Sequence, residues 1–297
     1  MDRTIEYIMP EEYAGRKIYE FLRDKGYSRQ NLTDLKFTES GLYLGDNRIK
    51  LDYRIIPGDV ISVCIREKKS SENILPVNIP IEVVYEDEDI LVVNKPADMP
   101  IHPSLNNHDN TLGNAVAYYY QSRGCDFVYR CINRLDRDTT GLVLIAKNMI
   151  SAQFLSKQHL QGVIQKEYTA IVSGYIEEKE GTIDKPIGRV NDSTIKRRID
   201  YENGERAVTH YSMITQNHDM SVVKLHLETG RTHQIRVHMA SIGHPLIGDF
   251  LYNPDDTRMK RQALHVNQLS FIQPVTQRSM VLTAPIPKDM SDIIAII

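Results

Sequence analysis

INRLDRDTTGLVLIA, residues 132–146, sets two carboxylates and two guanidinium groups beside a turn and runs from there into an unbroken apolar strand. A loop carried on the end of a buried strand is rigid, and ionisable groups held there have their protonation set by partners and partial burial. Asp136 is the residue this arrangement singles out. Arg134, Arg137 or Arg231 could hold it ionised, which makes it competent as a nucleophile or base. An Asp–Arg pair that only orders the loop accounts for the bare pattern equally well.

On the N-terminal side, Val83–Tyr85 and Ile90–Val93 read as two strands joined by an acidic run, Glu86 to Asp89, expected to be a solvated turn rather than a metal site. The loops Asn94-Lys95-Pro96 and His102-Pro103 follow. A helix then runs from about Thr111 to Tyr120 with Thr111 at its N-cap. On the C-terminal side, Ser151 can cap a helix carrying Phe154, Leu155 and Leu160 that stops at Gly162. In the next strand, starting at Lys166, the two-residue period puts Tyr168, Ala170 and Val172 on one face, which by itself reads as core packing with a phenol at the rim. In LETGRTHQIRVHMASIGHP (227–245), Thr232 can cap a helix with an Ile235, Met239, Ile242 stripe, ended by Gly243 and Pro245. Arg231 then sits at the positive end of a helix dipole, a position explained by a nearby carboxylate or phosphate, or by simple surface exposure.

The polar, two-proline stretch EKKSSENILPVNIP (67–80) reads as a linker and puts a boundary near residue 72, giving units 1–72 and 73–297. Within the first unit, residues 15–22 read as a short helix burying Ile18, Phe21 and Leu22. Ile49, Leu51 and Tyr53 alternate as a strand, and Pro57-Gly58-Asp59 turns into Val60–Val63. Arg16, Lys17, Arg23, Lys25 and Arg29 gather around that helix, as a polyanion surface or an ordinary solvated face. Many short alternating strands separated by few helices favour α+β over a doubly wound parallel sheet.

With 41% apolar residues and a net charge of -3, and a mean hydropathy of -0.37, the chain can bury a full core while admitting only a local basic groove. No apolar run approaches the roughly 18 residues of a membrane span, and MDRTIEYIMP lacks the pattern of a secretory leader, so the reading is cytoplasmic. Three cysteines without a C-x-x-C pair support neither a disulfide framework nor a zinc ribbon. His233, His238 and His244 lack metal-ligand spacing, and no P-loop, G-x-G-x-x-G or G-x-S-x-G motif is present, so neither metal nor cofactor is expected. Asp136 and Asp138 invite a glycosidase reading, but two residues of sequence do not establish carboxyls facing across roughly 5 to 9 Å, and a chain without tryptophan has a poor sugar-stacking platform.

NRLDRDTTGLVLIAKN resembles the H-R-L-D-x-x-T-S-G-L signature of the RluA/RluD-type pseudouridine synthases. QKEYTAIVSG is similar to their second motif and TGRTHQIRVHMASIGHPLIGD to their third. NKPADMPIHPS, KPIGRV with GERAVTHY, and RQALHVNQLSFIQP with APIPKDM also match, so the likeness covers about residues 80 to 290. It implies a large mixed, mostly antiparallel sheet flanked by helices around a central cleft, preceded by a small α+β RNA-binding module like that of a small-subunit ribosomal protein. It also implies a cofactor-free isomerase acting as a monomer on ribosomal or transfer RNA. Carried over by motif, Asp136 is the catalytic aspartate, Tyr168 the active-site tyrosine and Arg231 the basic partner of the aspartate. Arg134 matches the family arginine credited with helping to displace the target base, and Ile235 falls where an apolar residue packs near the uracil. Lys95, Lys147 and Arg236 are expected to hold phosphates. Asn133 replaces the usual histidine and Thr140 the usual serine. That substitution puts base extrusion in question and motivates a rival reading, an RNA-binding or ribosome-assembly factor with weak or lost catalysis.

Overall fold

The computed structural model describes residues 2–37, 41–67, 70–71, 73–190, 193 and 195–297. The chain opens with β1 (Asp2–Ile8), α1 (Ile18–Asp24), α2 (Arg29–Phe37), β2 (Gly41–Leu44), β3 (Asn47–Ile49) and β4 (Val60–Arg66). The strands form an antiparallel sheet in the order β1-β4-β2-β3. Helix α1 buries Ile18, Phe21 and Leu22, as their spacing predicts. The strand expected through Leu51 and Tyr53 is shorter. Those two residues turn away after Ile49, and their carbonyls accept the Tyr19 and Ile18 N–H groups, satisfying orphan donors at the start of α1.

Beyond Glu82 come β5 (Glu82–Glu86), β6 (Ile90–Lys95), α3 (Leu112–Gln121), β7 (Arg130–Cys131), β8 (Thr140–Ala146), α4 (Met149–Leu160), β9 (Gln165–Ser173) and β10 (Glu180–Asp184). They are followed by β11 (Ile187–Arg189), β12 (Arg197–Ile199), β13 (Val208–Gln216), β14 (Met220–Leu227), α5 (Gln234–Ser241), β15 (Leu264–Ile272), β16 (Ser279–Thr283) and α6 (Lys288–Ile294). A ten-stranded sheet runs β10-β13-β14-β9-β15-β8-β6-β5, with β16 paired to β15 and β7 to β8, while β11 and β12 form a separate hairpin. Among the described residues only β8 and β15 pair in parallel, so the sheet is mixed and mostly antiparallel, as expected.

Strand β8 explains its own apolar sequence: all seven residues are buried. Leu142, Leu144 and Ala146 join one core with Ile90, Val92, Tyr168 and Ile235, while Val143 and Ile145 join another with Leu91, Val93 and Val116. A strand covered on both faces reads as an unbroken apolar run. Gly141 is where β8 and β15 come closest: its φ is 111°, and a Cβ there would lie 2.3 Å from the Val266 carbonyl oxygen.

The two sheets are tied together. Ile150 of α4 is fully buried in the core of the four-stranded sheet, and the Phe154 ring meets the Tyr27 ring edge-on at 6.0 Å. Arg3 of β1 donates from Nε and Nη2 to the two oxygens of Asp89, both at 3.0 Å. Asp89 is 2% exposed and also accepts from Asn148, Ser151 and Gln273. The acidic run is therefore not the solvated turn expected from its composition; its last carboxylate is a buried junction, tolerated because four side chains give it five hydrogen bonds. Asn148, rather than Ser151, supplies the N-cap of α4, accepting the Ser151 N–H at 2.9 Å. Thr111 caps α3 as expected, in a capping box with Asn114. Residue 72, where the sequence puts the boundary, lies outside the described residues.

Candidate active site

The loop of residues 132–139 closes the hairpin between β7 and β8 and is fastened from behind. Asn133, 1% exposed, accepts the Leu144 N–H at 2.7 Å and donates to the Leu142 carbonyl at 3.1 Å. Lys95, also 1% exposed, donates to the carbonyls of Arg137, Pro96 and Met99 at 2.8, 2.8 and 2.9 Å. Burial pushes its ammonium down to about 7, yet three carbonyl acceptors match the three N–H bonds of the charged form and hold it protonated. Arg261 reaches the Asp138 carbonyl at 3.1 Å and pairs with Asp289 of α6. Asp138 accepts the Asp98 N–H and pairs with Arg137, which leaves it a turn residue.

With the loop so held, the Asp136 side chain enters a cleft lined by Arg134, Tyr168, Arg231, His233, Ile235 and Arg236, among others. Tyr168 and Ile235 are 5% and 4% exposed and form the apolar wall. Arg236, 2% exposed, donates from Nε and Nη2 to the two oxygens of Asp249, both at 2.7 Å, and from Nη1 to Asp136 Oδ2 at 3.3 Å. A bidentate carboxylate fixes the guanidinium plane and aims the third nitrogen. His233 Nε2 lies 3.9 Å from the same Oδ2.

The arginine that touches Asp136 is therefore Arg236, where the sequence reading names Arg231. Arg231 is exposed at the rim, bound to Glu205 and, at 3.1 Å, to the Arg206 carbonyl. The reason lies in the start of α5. Thr232 does not cap it; His233 takes the left-handed N-cap position at φ 58°, and the buried Gln234 side chain accepts the Arg231 N–H and the Thr229 hydroxyl. The helix begins later than the hydroxyl suggested, and Arg236 falls inside its first turns, facing the cleft. Asn133 is likewise absent from the cleft, its amide being spent on β8. Nor are Lys95, Lys147 and Arg236 free for phosphates: Lys147, 8% exposed, is bound to Glu86 and the Asp87 carbonyl. Arg134 is exposed at the mouth of the cleft. Sequence reading missed Asp249, although it ends the quoted third motif, and His233, whose placement depends on the helix start.

A carboxylate held at one oxygen, with an apolar wall opposite and arginines at the rim, suits a planar base attached to an anionic chain. Residues 89–241 match the sequence model of the RNA pseudouridylate synthase family. The chain belongs to the RNA pseudouridine synthases, of the RluA/RluD type. It is 40% identical over 284 residues to the uncharacterized RNA pseudouridine synthase YjbO of Bacillus subtilis, covering 96% of this chain and 97% of that one. To the ribosomal large subunit pseudouridine synthase D of Zymomonas mobilis it is 42% identical over 229 residues, 72% of each chain. The solved structure of human RNA pseudouridylate synthase domain containing 1 is similar in fold, with a TM-score of 0.59 and 28% identity over 69% of this chain and 83% of that one. Pseudouridine synthases isomerise uridine to pseudouridine in RNA. Among the described residues, no helix is long and apolar enough to cross a membrane.

Proposed function

We propose that Asp136 is the catalytic carboxylate of this pseudouridine synthase, that Arg236 positions it, and that the target uracil lies against Tyr168 and Ile235. Isomerisation breaks the C1′–N1 bond, turns the uracil while it is held and joins C5 to C1′; C5 gives up its hydrogen to water and N1 takes up a proton, so the atoms balance. No oxidant and no energy source is needed, so one carboxylate, acting on the base or the sugar, suffices. The uracil must leave its stack, at a cost of a few kcal/mol that stacking and hydrogen bonds in the cleft offset. Arg134 and Arg231 at the rim then face the displaced base and its phosphates. The observation that carries this reading is the convergence of Asp136, Tyr168, Ile235 and Arg236, drawn from three distant motifs, on one cleft.

Structured ribosomal RNA of the large subunit is the proposed substrate, supported by the names of relatives such as that of Zymomonas mobilis. Residues 1–72 are proposed to act as an RNA-binding module, using the exposed bases Arg16, Lys17, Arg23, Lys25 and Arg29, with the enzyme working as a monomer in the cytoplasm. Incubating the protein with total RNA from a strain lacking its gene, then mapping pseudouridine at base resolution, gives new sites in large-subunit RNA. New sites only in transfer RNA would overturn the substrate assignment; RNA binding without any new site would favour the assembly-factor reading.

A further inference from the structure

His233 has a strained backbone and a hydrogen-bonding chain behind it that the known chemistry of the site does not use. Its φ of 58° is left-handed, a region a non-glycine residue seldom occupies without reason. Its Nδ1 lies 3.1 Å from the Tyr252 hydroxyl, and that hydroxyl accepts the Arg197 backbone N–H at 2.9 Å. Tyr252 Oη accepts from Arg197 and keeps one proton of its own, which His233 Nδ1, 3.1 Å away, is placed to accept. A ring that accepts at Nδ1 carries its own proton at Nε2, the nitrogen 3.9 Å from Asp136 Oδ2.

Both neighbours of the Asp136 carboxylate therefore approach one oxygen, Arg236 from one side at 3.3 Å and His233 from the other. Among the described residues Oδ1 accepts no hydrogen bond. The separation of 3.9 Å exceeds a hydrogen bond by less than 1 Å, a gap that a small rotation of either side chain closes. The far end of the chain is β12, whose hairpin with β11 carries Arg189, Arg197 and Arg198 around a hollow that shares Arg231 with the cleft.

We infer that His233 is a positioning residue: in its neutral Nε2–H form, set by Tyr252 and the β12 backbone, it closes on Oδ2 of Asp136 when RNA is seated and leaves Oδ1 to meet the uridine. The inference rests on Asp136 being the catalytic carboxylate. Burial holds the His233 ring below its ordinary value, against the pull of Asp136 and Asp249 and with the help of Arg236 and Arg197. Those four and Tyr252 are the charged and titratable groups that face it. The neutral form is therefore the working form at neutral pH, and it is lost as pH falls.

The test uses the full-length protein and total RNA labelled with [5-³H]uridine from a strain lacking the gene, reading tritium release in single turnovers between pH 5 and 9. Tyr252→Phe keeps the ring but removes the hydroxyl that holds Nδ1 unprotonated, so the acid limb of the rate moves to higher pH, and the rate at pH 8 falls as the other tautomer is populated, by less than in His233→Asn. His233→Asn keeps a residue that tolerates the left-handed backbone, removes the titrating ring, lowers the rate at pH 8 about 10-fold and moves the acid limb to lower pH. The enzyme concentration that gives half the maximal single-turnover rate is unchanged in both. Opposite movements of the limb support the inference, and either variant decides alone if the other fails to fold. A uniform loss of rate with the parent's pH profile in both, while Asp136→Asn is inactive, overturns the inference and leaves the assignment of Asp136 intact. Tritium release by Asp136→Asn overturns that assignment and the inference with it.

Discussion

Asp249 does for the cleft what no residue in the loop of Asp136 can: it fixes the plane of a buried guanidinium so that its third nitrogen meets Asp136. Removing one partner of a buried pair leaves an uncompensated charge, so Asp249→Ala is expected to lower unfolding free energy by about 3–5 kcal/mol, read from a denaturant titration, and to depress turnover. Asp249→Asn keeps one acceptor and should lie between the two. A second buried group reports on pH. His265, 1% exposed with Nδ1 2.9 Å from the Thr140 hydroxyl, is pushed by burial down to about 4. Its folded value lies below the unfolded 6.5, so the unfolded chain binds more protons between the two. Stability is full above pH 6.5 and is lost as pH falls toward 4, by about 3 kcal/mol from this group. His265→Gln should flatten that stretch of the stability curve; an unchanged slope would refute the attribution. At this scale the sequence singled out Asp136 on a loop fastened to a buried strand, and put Tyr168 and Ile235 on the core-facing sides of a strand and a helix. It did not disclose the exchange of Arg231 for Arg236, which turns on one residue in a left-handed conformation.

Strands were legible where burial dictated composition. The run from Thr140 to Ala146 is apolar on both faces because two cores need it, and α1, α3 and the stop of α4 at Gly162 follow from spacing and capping chemistry. What misled was local chemistry that tertiary contacts outbid. Ser151 and Thr232 are good caps, yet Asn148 takes the orphan donor of α4, and α5 starts at a left-handed His233 with no side-chain cap while Gln234 holds the loop before it through the Arg231 N–H. The Glu86–Asp89 run looks like a surface turn until Arg3 arrives from 86 residues away. Two predictions belong here. Asn148→Ala removes both the α4 cap and a donor to Asp89, and should cost about 1–2 kcal/mol, against a smaller loss for Ser151→Ala, whose backbone N–H still reaches the cap. Gly141→Ala should prevent accumulation of soluble protein, because its Cβ would meet backbone that cannot yield, while Gly230→Ala, with nothing within 4 Å and an ordinary φ, should be neutral in soluble yield and midpoint.

For the molecule as a whole, the four-stranded sheet and the ten-stranded sheet share a core through Ile150 and a buried ion pair through Arg3 and Asp89. The composition of the 67–80 stretch suggested an independent module on a linker, and nothing in composition could reveal that α4 serves both sheets. A chain beginning at residue 80 should therefore expose Ile150 and Phe154 and aggregate or melt early, where a freely tethered module would leave the rest unaffected. If the four-stranded unit is the proposed RNA-binding module, its surface is fixed relative to the cleft and presents one geometry to a folded RNA. The proposed activity rests on the chemistry of Asp136. The most direct measurement is base-resolution mapping of pseudouridine in RNA from a strain lacking the gene, complemented with either the parent or Asp136→Asn at equal protein levels. Complementation by the parent alone is the expected result; restoration of the same sites by Asp136→Asn would contradict the account.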